Sequence, residues 1–363
     1  MSTLMHSMSS QAPQKPSQPT VAVVIPCFRV QQKVIEVISR IGAEVKHIVV
    51  VDDCCPEAVG DLVEAQVDDF RCIVVRHDTN KGVGGAVVTG YRRALELGAD
   101  IVVKLDGDGQ MAPELIPHLI RPIVSRQADY AKGSRFHSLF DVRTMPKGRL
   151  LGNAILSFVT KISSGYWSVF DPTNGFTAIH TEALGRITLE NLSERYFFES
   201  DMLINLGTIR AVVRDVPMRA FYADEVSGLK VSRVAGPFMI GHIREFTKRI
   251  VYNYFLRDFS VASLQLVCGT LMLGFGILFG SIQWWHSISS GTIATTGTVM
   301  LAVLPIILGF QLLLSFLSFD IMNEPRHCLQ DLFQMDSPRR FVPVHETHEV
   351  SSKRRNPKTR LPR

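Results

Sequence analysis

Two carboxylates stand two residues apart in Asp106-Gly107-Asp108-Gly109-Gln110, directly after the apolar run Ile101–Leu105. Hard oxygen donors in that spacing, on a turn at a strand end, can hold a divalent cation, with the Gln110 amide oxygen as a further donor. A cation held there bridges a diphosphate and offsets the charge of a leaving group. Glycine at both spacer positions lets the turn close tightly, and Met111-Ala112-Pro113 opens a helix behind it. Acidic turns are common in proteins. The apolar strand before this one and the helix after it single it out.

A second acidic pair, Asp52-Asp53, closes another apolar run. A carboxylate there can accept hydrogen bonds from a nucleobase or ribose; a turn-forming or capping Asp before Pro56-Glu57 is the plainer alternative. Asn80-Lys81-Gly82-Val83-Gly84-Gly85-Ala86 precedes a helical segment. It is not a dinucleotide fingerprint, because Val87 stands where the last glycine belongs, nor a Walker loop, because Lys81 comes ahead of the glycines. It can bring backbone N–H groups and one ammonium to a nucleotide, or simply start the helix. Arg135 and Arg149 flank a segment that reads as mobile. Arginine forks suit phosphate oxygens, although single arginines are usually solvated. Asp171-Pro172-Thr173-Asn174-Gly175-Phe176 has turn chemistry, and Phe197-Phe198-Glu199-Ser200-Asp201 puts two acids at a helix start. Either acid can cap that helix or face the functional edge.

The elements that must carry these residues alternate along the chain. Val21–Ile25, His47–Val51, Arg71–Val75, Ile101–Leu105, Asn174–His180 and Ala211–Val216 read as strands. Gln31–Ile41, Lys81–Leu97, Pro146–Trp167 and Phe197–Leu206 read as helices. Short apolar strands separated by helices predict an α/β fold with a mostly parallel sheet. Ligands of such sheets bind at the carboxyl ends of the strands, where Pro26, Asp52-Asp53 and Asp106–Gln110 fall.

Composition divides the 363 residues in two. Charged residues are only 20% of the chain, and none lies between Phe259 and Phe319. That gap holds two membrane spans, Phe259–Ser281 and Val299–Phe319, with Trp284 and Trp285 at an interface. Residues 232–258 mix Arg233, Arg244, Lys248, Arg249 and Arg257 with large apolar side chains, as amphipathic helices on an anionic membrane face do. The loop between the spans carries no Lys or Arg while both outer flanks are basic, which places the α/β domain and both termini in the cytoplasm. A hairpin buried in a soluble protein is the alternative. Nine Lys/Arg against five Asp/Glu follow Met322, so most of the net charge of +5 sits in a tail. A nucleic-acid binder would show a basic face on the folded domain, so nucleic acid is not an expected partner. The six cysteines form no CxxC pair, which reads as a reduced, cytosolic environment. Residues 1–19, rich in Ser, Gln and Pro, read as disordered and lack the apolar core of a signal peptide.

Together these elements resemble glycosyltransferase family 2, the inverting GT-A type, and within it the polyprenyl-phosphate glycosyltransferases of the dolichol-phosphate mannose synthase kind. The likeness spans about Val21–Val216 and rests on Ile25-Pro26-Cys27-Phe28, Val50-Val51-Asp52-Asp53, Asn80-Lys81-Gly82, Asp106–Gln110, Gly133-Ser134-Arg135 and Asn174-Gly175-Phe176. Composition and the resemblance together give a disordered 1–19, a GT-A domain over 20–231, juxtamembrane helices over 232–258, a transmembrane hairpin over 259–321 and a cytoplasmic tail over 322–363. It implies that Pro26, Asp52, Asp53 and Lys81 border a UDP- or GDP-sugar. Asp106 would contact the donor ribose or the metal, and Asp108 and Gln110 would coordinate Mg²⁺ or Mn²⁺. Arg135 and Arg149 would hold the acceptor phosphate, and Asp201 would be a base or a sugar contact. The expected reaction moves a sugar to polyprenyl phosphate on the cytoplasmic leaflet. A flippase partner and a homo-oligomer fit this reading, although no residue specifies either. A processive polysaccharide synthase is the nearest alternative, but no tryptophan follows Gln-x-x-Arg. Transfer to another acceptor and a non-catalytic nucleotide-sugar binding module are the others.

Overall fold

A computed structural model describes residues 18–136, 147–195, 197–218 and 231–332, without the side chains of 32, 147–149 and 231–235. The expected disorder before residue 18, the mobile reading of 137–146 and the basic tail beyond 332 lie outside the described residues.

Seven strands form one sheet in the order β3-β2-β1-β4-β6-β5-β7. They are β1 (Val21–Cys27), β2 (Val45–Asp52), β3 (Cys72–Arg76), β4 (Ile101–Lys104), β5 (Tyr130–Ser134), β6 (Thr177–His180) and β7 (Val213–Pro217). β1 pairs in parallel with β2 and β4, and β5 with β7, whereas β6 runs antiparallel to both β4 and β5. The sheet is therefore mostly parallel, with one reversed strand wedged into it. The strands buried on both faces are the continuous Val/Ile runs of the sequence. Val21, Val23 and Ile25 pack on one face, with Val34, Val59, Val63 and Ile116 from α1 (Gln31–Ser39), α2 (Val59–Gln66) and α4 (Ile116–Val124). Ala22 and Val24 pack on the other, with Val87 and Tyr91 of α3 (Gly82–Glu96) and Met202 and Leu206 of α6 (Phe198–Ile209).

β5 and α2 are not among the sequence-predicted elements. β5 reads Tyr-Ala-Lys-Gly-Ser, and its central Lys132 is fully buried, so its sequence carries no apolar strand signature. α2 buries only Val59, Gly60 and Val63, too short a stripe to announce itself.

α5 (Lys147–Ser164) and α7 (Val231–Val251) pack on one another, and a single π-helical turn, Tyr252–Arg257, leads from α7 to α8 (Val261–Ser290). α8 and α9 (Thr296–Met322) form an antiparallel hairpin. Both are long and apolar enough to cross a membrane, and both are exposed over most of their length. A hairpin in the core of this domain would be buried, so the two helices stand as candidate membrane spans. α8 runs nine residues beyond the expected Ser281 and takes in Trp284 and Trp285, both exposed. The two helices approach at their glycines: a Cβ on Gly309 would stand 2.6 Å from the Leu273 nitrogen and 2.8 Å from the Gly269 oxygen. After α9 the chain returns to the domain, where the N–H of Leu329 donates to the buried Asp129 carboxylate at 2.9 Å.

Candidate active site

The carboxyl ends of β1, β2 and β4 open on one edge of the sheet. Pro26 sits on β1 opposite Val51 of β2. On its other side, pairing with β4 stops at Val24–Lys104, so the missing N–H of proline costs no ladder bond.

The acidic pair after β2 is built into the frame. Asp52 accepts from the N–H of Cys55 at 2.8 Å and of Gly60 at 2.7 Å, tying down the loop and the start of α2. Asp53 Oδ1 accepts from the Lys81 N–H and Oδ2 from the Gly82 N–H, both at 2.8 Å, and Oδ1 lies 2.7 Å from His77 Nδ1. A carboxylate of this chain thus occupies amides at the amino end of α3, where anions are favoured. The Gly85 N–H turns to the Glu194 carbonyl at 3.1 Å. The glycine-rich segment is a helix start held by Asp53, and Lys81 stands exposed beside it.

The turn after β4 is more open. Asp108 Oδ1 accepts from the Gln110 N–H at 3.0 Å, and Gly109 takes φ +75°, which suits glycine. Asp106 keeps a side chain 30% exposed, yet its Oδ1 is held at 2.9 Å by the ammonium of Lys104, which is 1% exposed. The same ammonium lies 3.3 Å from Glu199 at the start of α6. Burial alone would lower the Lys104 pKa, but Asp106 and Glu199 outweigh it and hold it raised. Gly175 makes room for this pair: a Cβ there would fall on the Lys104 ammonium and 2.6 Å from Asp106 Oδ2.

Lys104 and Lys132 both lie opposite Thr177 across the sheet, so two lysines share one row beneath the site. Lys132 donates to the Asn174 carbonyl. Burial lowers its pKa to about 8, against the pull of Glu199 and Asp171.

Arg135 is brought to the same region by β5, but its fork grips Asp171, with Nε 2.7 Å and Nη2 3.0 Å from the carboxylate. Arg149 lies in the first turn of α5; its side chain is outside the described residues. Asp201 is buried, with Oδ2 accepting from the Ser193 N–H at 2.7 Å and Oδ1 from the Asn205 amide at 2.9 Å. Burial raises its pKa. The acid of α6 that reaches the β4 turn is Glu199, two residues earlier. Its signal was the Phe197–Asp201 segment, where spacing does not say which acid faces the sheet. Lys104 and Lys132 were missed because a lysine in a strand reads as an exposed position.

Among the described residues no three His, Cys, Asp or Glu side chains cluster to hold a metal alone. Two carboxylates and an amide on one turn still fit Mg²⁺ or Mn²⁺, since Mg²⁺ commonly takes one or two carboxylates and completes its shell with substrate phosphates and water.

A family model described as glycosyl transferase family 2 matches residues 22–188. A UDP-N-acetylglucosamine–dolichyl-phosphate N-acetylglucosaminyltransferase of Methanococcus voltae is 29% identical, over 56% of this chain and 86% of that one. A polyprenol monophosphomannose synthase of Mycolicibacterium smegmatis is 31% identical, over 52% of this chain and 72% of that one. Among solved structures, glucosyl-3-phosphoglycerate synthase of Mycobacterium tuberculosis with Mn²⁺, UDP and phosphoglyceric acid matches at 18% identity, over 64% of this chain and 78% of that one, with a TM-score of 0.47. The family match begins in β1 and runs past β6, so it takes in the strand ends that border the site. With a relative above 30% identity spanned over most of its length as well, the chain belongs to glycosyl transferase family 2.

Proposed function

We propose that this protein transfers a sugar, with inversion, from a nucleotide-diphosphate sugar to a polyprenyl phosphate at the cytoplasmic face of a membrane. The observation that carries this reading is that the acidic turn after β4 and an exposed apolar hairpin belong to one chain, bonded to the sugar-transferase domain before the hairpin, where Arg257 Nη1 donates to the Thr208 carbonyl at 2.8 Å, and after it, where the Leu329 N–H donates to Asp129. A soluble acceptor would need no such hairpin. The names of both relatives pair a sugar with a polyprenyl carrier.

Pro26, Asp52, Asp53 and Lys81 border the donor, the two acids chiefly by shaping the β2 and α3 ends. Asp106, Asp108 and Gln110 hold the cation, and Lys104 fixes the Asp106 carboxylate. A Mg²⁺ or Mn²⁺ held by Asp106, Asp108 and Gln110 would offset the negative charge that develops on the departing nucleoside diphosphate. Arg135 and Arg149 serve the acceptor phosphate. Its oxygen forms a bond to the anomeric carbon from the face opposite the diphosphate, whose C–O bond breaks with the electron pair leaving on the diphosphate. A phosphate monoester with a second pKa of about 6 is already ionised near neutrality, so no strong base is required. Asp201, buried and bonded to Ser193 and Asn205, then positions α6 rather than taking a proton.

Both hairpin ends meet the domain on one side, which supports cytoplasmic termini and a two-span integral membrane protein. The lipid-linked sugar would form on the cytoplasmic leaflet, and its use on the far side would call for a flippase.

The test uses purified protein in detergent with a panel of UDP- and GDP-sugars, with and without Mg²⁺ or Mn²⁺ and polyprenyl phosphate, and measures nucleoside diphosphate release. Release from one donor that requires both metal and lipid phosphate is expected. Release independent of lipid would move the reading to another acceptor, and metal-dependent binding without release to a binding module.

A further inference from the structure

Asp320 is an ionised residue at the end of a span-length apolar helix, 5% exposed, and four hydrogen bonds converge on it. Oδ1 accepts from Arg249 Nη1 at 2.8 Å and Tyr254 Oη at 2.6 Å; Oδ2 accepts from Arg249 Nη2 at 3.1 Å and Trp167 Nε1 at 3.1 Å. All four lone-pair directions of the carboxylate are used. The donors come from α7, the π-helical turn and the loop after α5. Arg249 Nη2 also donates to the Ile162 carbonyl in the last turn of α5 at 2.8 Å. A cavity of about 20 Å³ adjoins the pair, lined by Arg249 and Asn253, whose Nε and Oδ1 have no hydrogen-bond partner among the described residues. It has room for one water.

A buried ion pair is a costly way to gain stability, since apolar residues of similar volume often do as well. What it supplies here is direction: one carboxylate fixes the angle between a membrane helix, the juxtamembrane helix and α5. Arg149, a candidate acceptor-phosphate residue, lies thirteen residues before Ile162, about 20 Å along α5 at the usual helical rise.

We propose that Arg249, Asp320, Tyr254 and Trp167 form a clamp that sets the height and tilt of α5 over the membrane, and so governs use of a lipid-borne acceptor without touching it. This rests on the polyprenyl-phosphate reading. These are positioning residues. Their signature is a split between acceptors: a short, water-soluble isoprenyl phosphate comes to the site by diffusion, whereas a long-chain polyprenyl phosphate in a vesicle must be met at its own depth.

The experiment compares full-length wild type, Asp320→Asn, and the apolar pair Arg249→Met with Asp320→Leu, which keeps the packing if the single variant fails to fold. Each is assayed in detergent with the short phosphate and in phosphatidylglycerol-containing vesicles with the long one, and hydrogen exchange is followed over Lys161–Phe170. The expected result is a loss of about tenfold or more in kcat/KM for the vesicle acceptor, with the short acceptor changed little. Exchange over Lys161–Phe170 should accelerate while the β1–β4 core stays unchanged. Equal losses with both acceptors, or no loss with either, would overturn the clamp. If wild type used no polyprenyl phosphate at all, the functional reading would fail instead. The clamp would then stand on locally accelerated exchange in the variants and fall without it.

Discussion

Two acidic pairs close β2 and β4, the parallel strands on either side of β1, yet the fold uses them differently. Asp52 and Asp53 are 6% and 2% exposed, and every oxygen accepts from a backbone N–H of the frame. Asp106, in the turn after β4, stays 30% exposed, with a buried lysine holding one oxygen. The same residue type at the same place in a strand is thus a structural brace in one case and, in the proposed function, a ligand donor in the other. What decides is whether a helix amino terminus lies within reach. α2 and α3 begin directly beside Asp52 and Asp53, whereas the β4 turn spends its next residues on Gly109 and Gln110 before α4.

The sharpest test of this contrast is Asp108→Ala. It should lower kcat by about 10²–10³-fold with little change in melting temperature, measured by nucleoside diphosphate release and thermal unfolding of the same preparation. Asp201→Asn should keep most of the rate. A loss as large as that of Asp108→Ala would make Asp201 a base.

Next in size, Asp53→Ala should cost about 2–4 kcal/mol of stability, because it leaves two amides of α3 and His77 without their acceptor. Asp52→Asn should also melt lower while leaving donor KM unchanged. A raised donor KM with an unchanged melting point would turn the brace into a donor contact.

Lys132 probes the row beneath the open pair by pH. Its folded pKa of about 8 lies below the roughly 10.4 of an unfolded lysine. Below pH 8 both states carry the proton, and burying the charge is a standing cost. As pH rises from 8 through 10.4 the folded state sheds its proton first, so stability rises over that window. Relative to Lys132→Met, wild type should gain about 2–3 kcal/mol between pH 7 and 10.5, read from unfolding at each pH. A pH-independent difference would mean that Lys132 does not titrate there.

The smallest effect belongs to Arg76, whose guanidinium bridges Asp61 and Glu64 on the surface near α2. Arg76→Ala should shift stability by under about 1 kcal/mol, since exposed pairs are screened. A larger shift would show that the brace around Asp52 leans on its outer rim.

How much of this was legible follows the same physics. The Val/Ile strands, α3 and the two apolar helices were visible because burial on both faces, or in lipid, demands unbroken apolar runs. The reversed direction of β6 was not, since Thr177–His180 reads alike in either sense and only its neighbours fix it. The β4 turn was readable because Gly, Asp and Gln recur at fixed spacing. The buried lysines beneath it were hidden, because their partners, Glu199 and the Asn174 carbonyl, come from elsewhere in the chain. The contrast between Asp52-Asp53 and Asp106–Gln110 was hidden for the same reason: it lies in which amides face each carboxylate.

The return of the chain after α9 bears on how the protein is made. Leu329 sits in the same apolar cluster as Val24 and Tyr91, and its N–H meets Asp129. More than a hundred residues, including both apolar helices, separate it from the end of β7. At translation rates of about 5–20 residues per second, the domain waits roughly 6–20 s for the segment that completes its core. During that interval both apolar helices leave the ribosome. Completion of the α/β domain is thereby timed to follow synthesis of the apolar hairpin, and a chain cut short between the two would leave a domain that lacks part of its interior.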